Sequence, residues 1–242
     1  YALPLITIDN QHRMRYVEYE VPPSLTVDAQ VTKNIIRAMV PRPDVSLVTA
    51  FHAGQTTNDR TFVFPPIVRR AVVEKQPSRG DHVLVYLTSG YESFLELLGQ
   101  FDRERFVVYG YDRSDSVGNL AYKCPSRDGF LDDLAGAKAV MATAGFTLIS
   151  EALHLRKPYL ALPMHGQFEQ ELNAYQLEQQ GYGKRVAEAG AEAIADFLYH
   201  LPDYQQRLEC YPCADNRAIK AKLDELLAND CSLAREFHAR RA

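Results

Sequence analysis

Apolar runs of strand length recur from residue 81 onward: HVLVYLT from His82, RFVVYG from Arg105, NLAYK from Asn119, AKAVMA from Ala137 and PYLALP from Pro158. Between them lie segments whose apolar residues return every three to four positions. The runs have the pattern of strands buried on both faces and the spacers that of amphipathic helices. Their alternation predicts βαβ units, a parallel sheet, and helices carried to both of its faces by right-handed crossovers. The helical segments fall at 91–98, 130–134, 147–155 and 169–179, with Gly181 as the terminating glycine of the last. A shorter α/β piece comes first, with a strand at 3–8, a helix at 28–39 and a strand at 45–51. After residue 183 the pattern is helical, at 191–200, 204–209 and 216–228. The stretch FVFPPIVRRAVVEKQPSRGD, with three prolines and a charged end, reads as a linker. The expected divisions are therefore 1–62 as the end of a first domain, 63–80 as linker, 81–210 as an α/β domain and 211–242 as a helical tail.

Composition narrows the classes of function. At 242 residues, 46% hydrophobic and 24% charged, the chain can bury one large core or two modest ones. A net charge of -4 supplies no basic surface for a phosphate backbone, so no nucleic-acid partner is expected, although a local site can still hold a small anion. No apolar run approaches the roughly 20 residues of a membrane-spanning helix, which predicts a cytoplasmic protein and leaves room for peripheral membrane association. The chain opens at Tyr1 without an initiator Met, directly on a strand that needs neighbours, so a first domain truncated at its N-terminus is expected. The cysteines Cys124, Cys210, Cys213 and Cys231 contain one close pair, CYPC, in a helical tail; neither a zinc nor a redox arrangement is recognised, and no metal or cofactor is expected.

In an open parallel sheet ligands lie beyond the carboxyl ends of the strands, and three loops at those ends carry chemistry. LTSGYES places Thr88, Ser89 and Gly90 in a tight turn whose amides and hydroxyls suit phosphate oxygens, or merely cap a helix. ATAGFTLISE starts a helix at Gly145, Phe146 and Thr147, where unpaired amides and about half a positive charge face outward. Gly145 lets a ligand approach the backbone, and Glu151, one turn on, is either a solvated residue or an acceptor for two vicinal hydroxyls. LPMHGQFEQELNA brings Glu169, Gln170 and Asn173 to one end and one face of the next helix, where carboxylate and amide groups match sugar hydroxyls.

Taken in order, these loops resemble the donor-binding half of GT-B glycosyltransferases. The stretch GFLDDLAGAKAVMATAGFTLISEALHLRKPYLALPMHGQFEQELNAYQLEQQGYG is similar to the peptidoglycan N-acetylglucosaminyltransferase and UDP-glycosyltransferase families, and the likeness covers about residues 81–185. It implies an α/β fold of two Rossmann-like domains and transfer of a sugar, with inversion, from a nucleotide sugar, a UDP-sugar by expectation, to an acceptor hydroxyl of a lipid or glycan. By the resemblance Thr88, Ser89, Gly90, Gly145, Phe146 and Thr147 would hold the donor phosphates and Glu151 the ribose. Glu169 and Gln170 would read the donor sugar, Asn173 would support that helix start, and loop 125–130 would flank the base. LPLITIDNQH resembles the end of the acceptor domain, with Asp9, Asn10, Gln11 and His12 facing the cleft. The catalytic base would lie before Tyr1; His12 and His165 are positional candidates only. Relatives carry Gln or Asp where this chain has Glu169, which leaves the donor sugar open. A UDP-sugar 2-epimerase of the same fold and a non-catalytic sugar-nucleotide-binding protein are the alternatives.

Overall fold

The computed structural model describes residues 3–39, 42–51, 54–124, 126–188, 190–212 and 215–240. In chain order its elements are β1 (Ile6–Asp9), α1 (Arg13–Tyr16), α2 (Thr26–Met39), β2 (Val45–Thr49), β3 (Thr61–Phe64), α3 (Arg70–Val73), β4 (His82–Tyr86), α4 (Glu92–Leu98), β5 (Arg105–Tyr109), β6 (Ser116–Val117), β7 (Leu120–Tyr122), α5 (Arg127–Gly136), β8 (Ala139–Thr143), α6 (Phe146–His154), β9 (Tyr159–Leu162), α7 (Phe168–Gln179), β10 (Gly183–Arg185), α8 (Ala191–Tyr199), α9 (Leu201–Glu209) and α10 (Arg217–Ala239). They form two compact units, Tyr1–Ile67 with Ala214–Ala242, and Val68–Cys213.

In the first unit β1, β2 and β3 lie side by side and parallel, with Ile6 opposite Val45 and Ser46 opposite Thr61. Every residue of β2 is buried. Val45 and Leu47, alternate residues of that strand, pack with Ile219, Leu226, Ala234 and Phe237 of α10. The segment read as a separate tail thus supplies core to the first unit. Its helix runs past the expected end at residue 228, interrupted at Ala228, Asn229, Asp230 and Cys231, where the backbone is non-helical. The expected linker is also corrected, because it contains the end of β3 and all of α3. Pro65 and Pro66, which suggested a linker, instead stop β3, since a residue without an N–H cannot extend a ladder.

The second unit holds a seven-stranded sheet in the order β10-β9-β8-β4-β5-β7-β6, parallel except for β6. Its strands read as continuous apolar runs because both faces are covered. Val83, Val85, Phe106, Val108, Met141 and Leu160 pack in one cluster with Phe94 and Leu98 of α4 and Phe197 of α8. From β4 the chain moves outward to β5 and β7, then returns to β8 on the other side of β4 and continues to β9 and β10. The connections leaving β4 and β8 therefore run in opposite directions, and a crevice opens at the carboxyl ends of these two strands.

Lys157, between α6 and β9, is 3% exposed and donates from Nζ to the carbonyls of Ala137 (2.8 Å) and Ser78 (2.5 Å). Burial, with a smaller effect of the Arg79 charge, lowers its pKa to about 8 from 10.5. Below pH 8 folded and unfolded chains are both protonated and the folded state bears the cost of a buried charge. Between pH 8 and 10.5 only the folded amine loses its proton, so this group's contribution to stability rises with pH, by at most about 3 kcal/mol. Denaturant unfolding across that window should show the rise in the wild type and not in Lys157→Met; parallel curves would refute it.

Candidate functional site

At the crevice, α6 begins after Gly145, and no side chain caps it. Its first intrahelical bond runs from the Ile149 amide to the Gly145 carbonyl (3.2 Å), so the Thr147 and Leu148 amides precede the ladder. Gly145 has φ -69° and ψ 133°, a conformation open to any residue, and a Cβ placed there would meet nothing within 4 Å. The turn is held from the opposite side. The buried Tyr159 hydroxyl donates to the Thr143 carbonyl (2.7 Å), and Asn173 Nδ2 donates to the Ala144 carbonyl (2.9 Å). Burial pushes the Tyr159 pKa upward, which keeps the hydroxyl a donor. Asn173 is 1% exposed. Its bond fastens the start of α7 to the β8–α6 turn.

A pocket of about 500 Å³ adjoins this turn, lined by Arg69, Tyr86, Tyr109, Gly110, Ser126, Phe130, Thr147, Leu148 and Glu151. Phe130 meets Tyr86 and Tyr109 edge to face, with centroids 5.5 and 5.1 Å apart. The Tyr109 hydroxyl donates to Asp133 Oδ2 (2.6 Å), which also accepts from Lys123 Nζ (2.6 Å). Burial first, and the Asp133 carboxylate second, push the Tyr109 pKa upward. Ser126 caps α5, accepting from the Gly129 amide (3.4 Å). This wall presents flat apolar surface. The opposite wall presents charge: Glu151, 3% exposed, accepts from Arg69 Nε (2.5 Å) and Nη2 (2.8 Å) in a two-toothed ion pair. The partnership holds the Arg69 pKa above its ordinary value.

Of the residues proposed from sequence, Thr147, Glu151 and, from the base-flanking loop, Ser126 and Phe130 line the pocket. Thr88, Ser89 and Gly90 are exposed on the neighbouring β4–α4 turn. The Gly90 amide is engaged by both oxygens of Glu92 (3.1 and 3.0 Å), a bond that holds the Glu92 carboxyl below its ordinary range. The amide expected to meet phosphate therefore caps a carboxylate in this state. In the first turn of α7, Gln170 accepts from the Met164 amide of the preceding loop (3.1 Å) and donates to Gln167 (2.9 Å), with Glu169 half-buried and His165 exposed. Pro125 of the expected base-flanking loop lies outside the described residues, as does Cys213.

In the first unit Asp9 is the last residue of β1, and Asn10, Gln11 and His12 follow it. Asp9 accepts from the His12 amide (2.7 Å), and His12 Nδ1 lies 2.8 Å from Asp9 Oδ2 and 3.2 Å from Thr7 Oγ1. Burial raises the Asp9 pKa, but the bonds from His12 together outweigh it and leave the carboxyl below its ordinary value. His12 is 0% exposed, with Nε2 unpartnered. His12, expected to face the cleft, has its ring turned inward, toward Asp9.

Arg69, Tyr86, Tyr109 and Gly110 were not anticipated. Arg69 is 82 positions from its partner, beyond any local spacing signal. The two tyrosines did leave a signal, since β4 and β5 both end in Tyr, at the strand ends that a parallel sheet turns toward its ligand.

Among the described residues no group of three or more His, Cys, Asp or Glu could hold a metal ion, and no helix is long and apolar enough to cross a membrane. The model of glycosyl transferase family 1 matches residues 1–202. Comparison with curated proteins finds no significant match. Among solved structures the chain is similar to the glycotransferase of kitacinnamycin (18% identity, TM-score 0.54, covering 84% of this chain and 60% of that one). It is similar also to Phytolacca americana UGT2 complexed with UDP-2-fluoro-glucose and pterostilbene (16%, 0.54, 89% and 56%). A third is the spinosyn rhamnosyltransferase SpnG complexed with thymidine diphosphate (12%, 0.53, 86% and 62%). The chain thus spans 56 to 62% of the length of these structures, and identities this low show a shared fold.

Proposed function

The chain belongs to glycosyl transferase family 1, with the two α/β units of the GT-B fold, and from that premise we propose that it serves transfer of a sugar from a pyrimidine nucleoside diphosphate sugar to an acceptor hydroxyl. The observation that carries this reading is the open start of α6 at Gly145 beside a pocket with an aromatic wall and a buried carboxylate. A nucleoside diphosphate has the same three parts in the same sequence. Its base would lie against Phe130, its ribose hydroxyls toward Glu151, and its diphosphate at the helix start, with the sugar directed to the loop around Gln170. UDP-2-fluoro-glucose and thymidine diphosphate, named with two of the similar structures, are pyrimidine donors or donor fragments and support the class.

In the proposed reaction the acceptor oxygen attacks the anomeric carbon as the bond to the diphosphate breaks. The electron pair passes to the diphosphate oxygen, and the α6 amides and helix dipole stabilise the charge that develops there. A base takes the acceptor proton. Direct displacement inverts the anomeric centre. The design needs no cofactor beyond the nucleotide sugar. Calorimetric titration with UDP tests the donor site. Saturable binding is expected, and Phe130→Ala should weaken it by about 1 to 3 kcal/mol, the range for loss of base stacking on an aromatic ring. Absence of UDP and thymidine diphosphate binding by the folded chain would refute the reading.

A further inference from the structure

Glu151 is not free to receive a ribose. Both of its oxygens are held by Arg69, whose guanidinium lines the same pocket and is 46% exposed, whereas the carboxylate is 3% exposed. A nucleoside that donates two hydroxyls to Glu151 must displace this fork. The displaced cation then loses its ion-pair partner while remaining beside the pocket. A neutral nucleoside offers nothing in exchange. A nucleoside diphosphate brings anionic oxygens, which suit a guanidinium as well as a carboxylate does. We propose that Arg69 is a specificity-determining residue that guards Glu151, so that the pocket refuses uncharged nucleosides and admits those carrying a diphosphate. The exchange forms and breaks no covalent bond: Arg69 leaves the carboxylate as the ribose arrives and passes to the phosphate.

The inference rests on the donor-site reading above, and its test separates the two. Uridine and UDP are titrated into the wild type, Arg69→Ala, Arg69→Gln and the double variant Arg69→Ala/Glu151→Gln, each checked for folding by circular dichroism. Arg69→Gln retains a neutral donor to the buried carboxylate, which keeps the test informative where Arg69→Ala is unstable. With the guard removed, uridine should bind about 10-fold more tightly and UDP about 10-fold more weakly, each step near 1.4 kcal/mol, so that the preference for UDP falls about 100-fold. The gain for uridine should vanish in the double variant, because the uncovered carboxylate is its source. An ion pair that merely braces the fold predicts equal losses for the two ligands. Equal losses, or an unchanged preference, would overturn the guard and leave the donor site standing. If neither ligand binds the wild type, both proposals fall.

Discussion

Gly145→Val should leave the second unit folded and remove most of its affinity for UDP, by about 100-fold or more, near 2.7 kcal/mol. The two halves of this expectation have separate causes. The backbone at 145 lies in the extended region, where valine is at ease, and nothing within 4 Å would meet its Cβ. Loss of a tolerated glycine cap costs at most about 1 kcal/mol. The space that valine would fill is open in the ligand-free chain and adjoins the amides assigned to the diphosphate. A branched side chain there holds phosphate oxygens away from the Thr147 and Leu148 amides, beyond hydrogen-bonding distance. Thermal unfolding and calorimetric titration should therefore diverge, the first near wild type and the second much reduced. Unchanged UDP affinity would move the diphosphate elsewhere.

The opposite outcome is expected two strands away. Gly110→Ala should cost the second unit about 2 to 5 kcal/mol, a large part of the stability of a typical domain. Gly110 has φ +105°, and a Cβ on it would stand 1.9 Å from the Leu87 carbonyl oxygen. Positive φ alone costs a side-chain-bearing residue about 1 to 2 kcal/mol, and the overlap with backbone, which cannot rotate aside, adds about 1 to 3. Gly118 supplies the control, with φ +58° and no neighbour within 4 Å. Gly118→Ala should show the strain without the clash. Urea unfolding of the two variants separates these contributions, and similar losses in both would discount the Leu87 contact.

The regular part of the second unit was readable because its strands are apolar through their length and its helices apolar on one side. The start of α6 was expected within one residue of where it lies, from the change of period at Gly145. β10 escaped the pattern: Gly183, Lys184 and Arg185 carry no hydrophobic alternation. Their pairing depends on backbone fit, with a Cβ on Gly183 falling 1.8 Å from the Tyr159 carbonyl oxygen. Asn173 was placed on the correct helix, beside the sugar-reading candidates and as a support for the helix start. Its burial follows from a carbonyl of Ala144, 29 positions away, which no local pattern reveals. The pairing of Arg69 with Glu151 is likewise long-range, and the prolines before Arg69 drew attention to a chain break instead of to the pocket. Local periodicity thus located the loops, whereas the partners that already occupy them became visible only in three dimensions.

The two hydrogen bonds that secure the β8–α6 turn bear on any redesign of donor preference. Exchanging the β9–α7 loop together with the first turn of α7 for that of a relative is an obvious way to try to alter which sugar is accepted, since the Met164 amide and Gln170 lie within it. The graft ends close to Asn173, and a splice that replaces this residue would slacken a turn on the far side of the crevice. Such a chimera would lose grip on every nucleotide at once and be misjudged as having the wrong sugar selectivity. Grafts that stop before Asn173 and keep Tyr159 transplant that loop without loosening the β8–α6 turn proposed to seat the diphosphate.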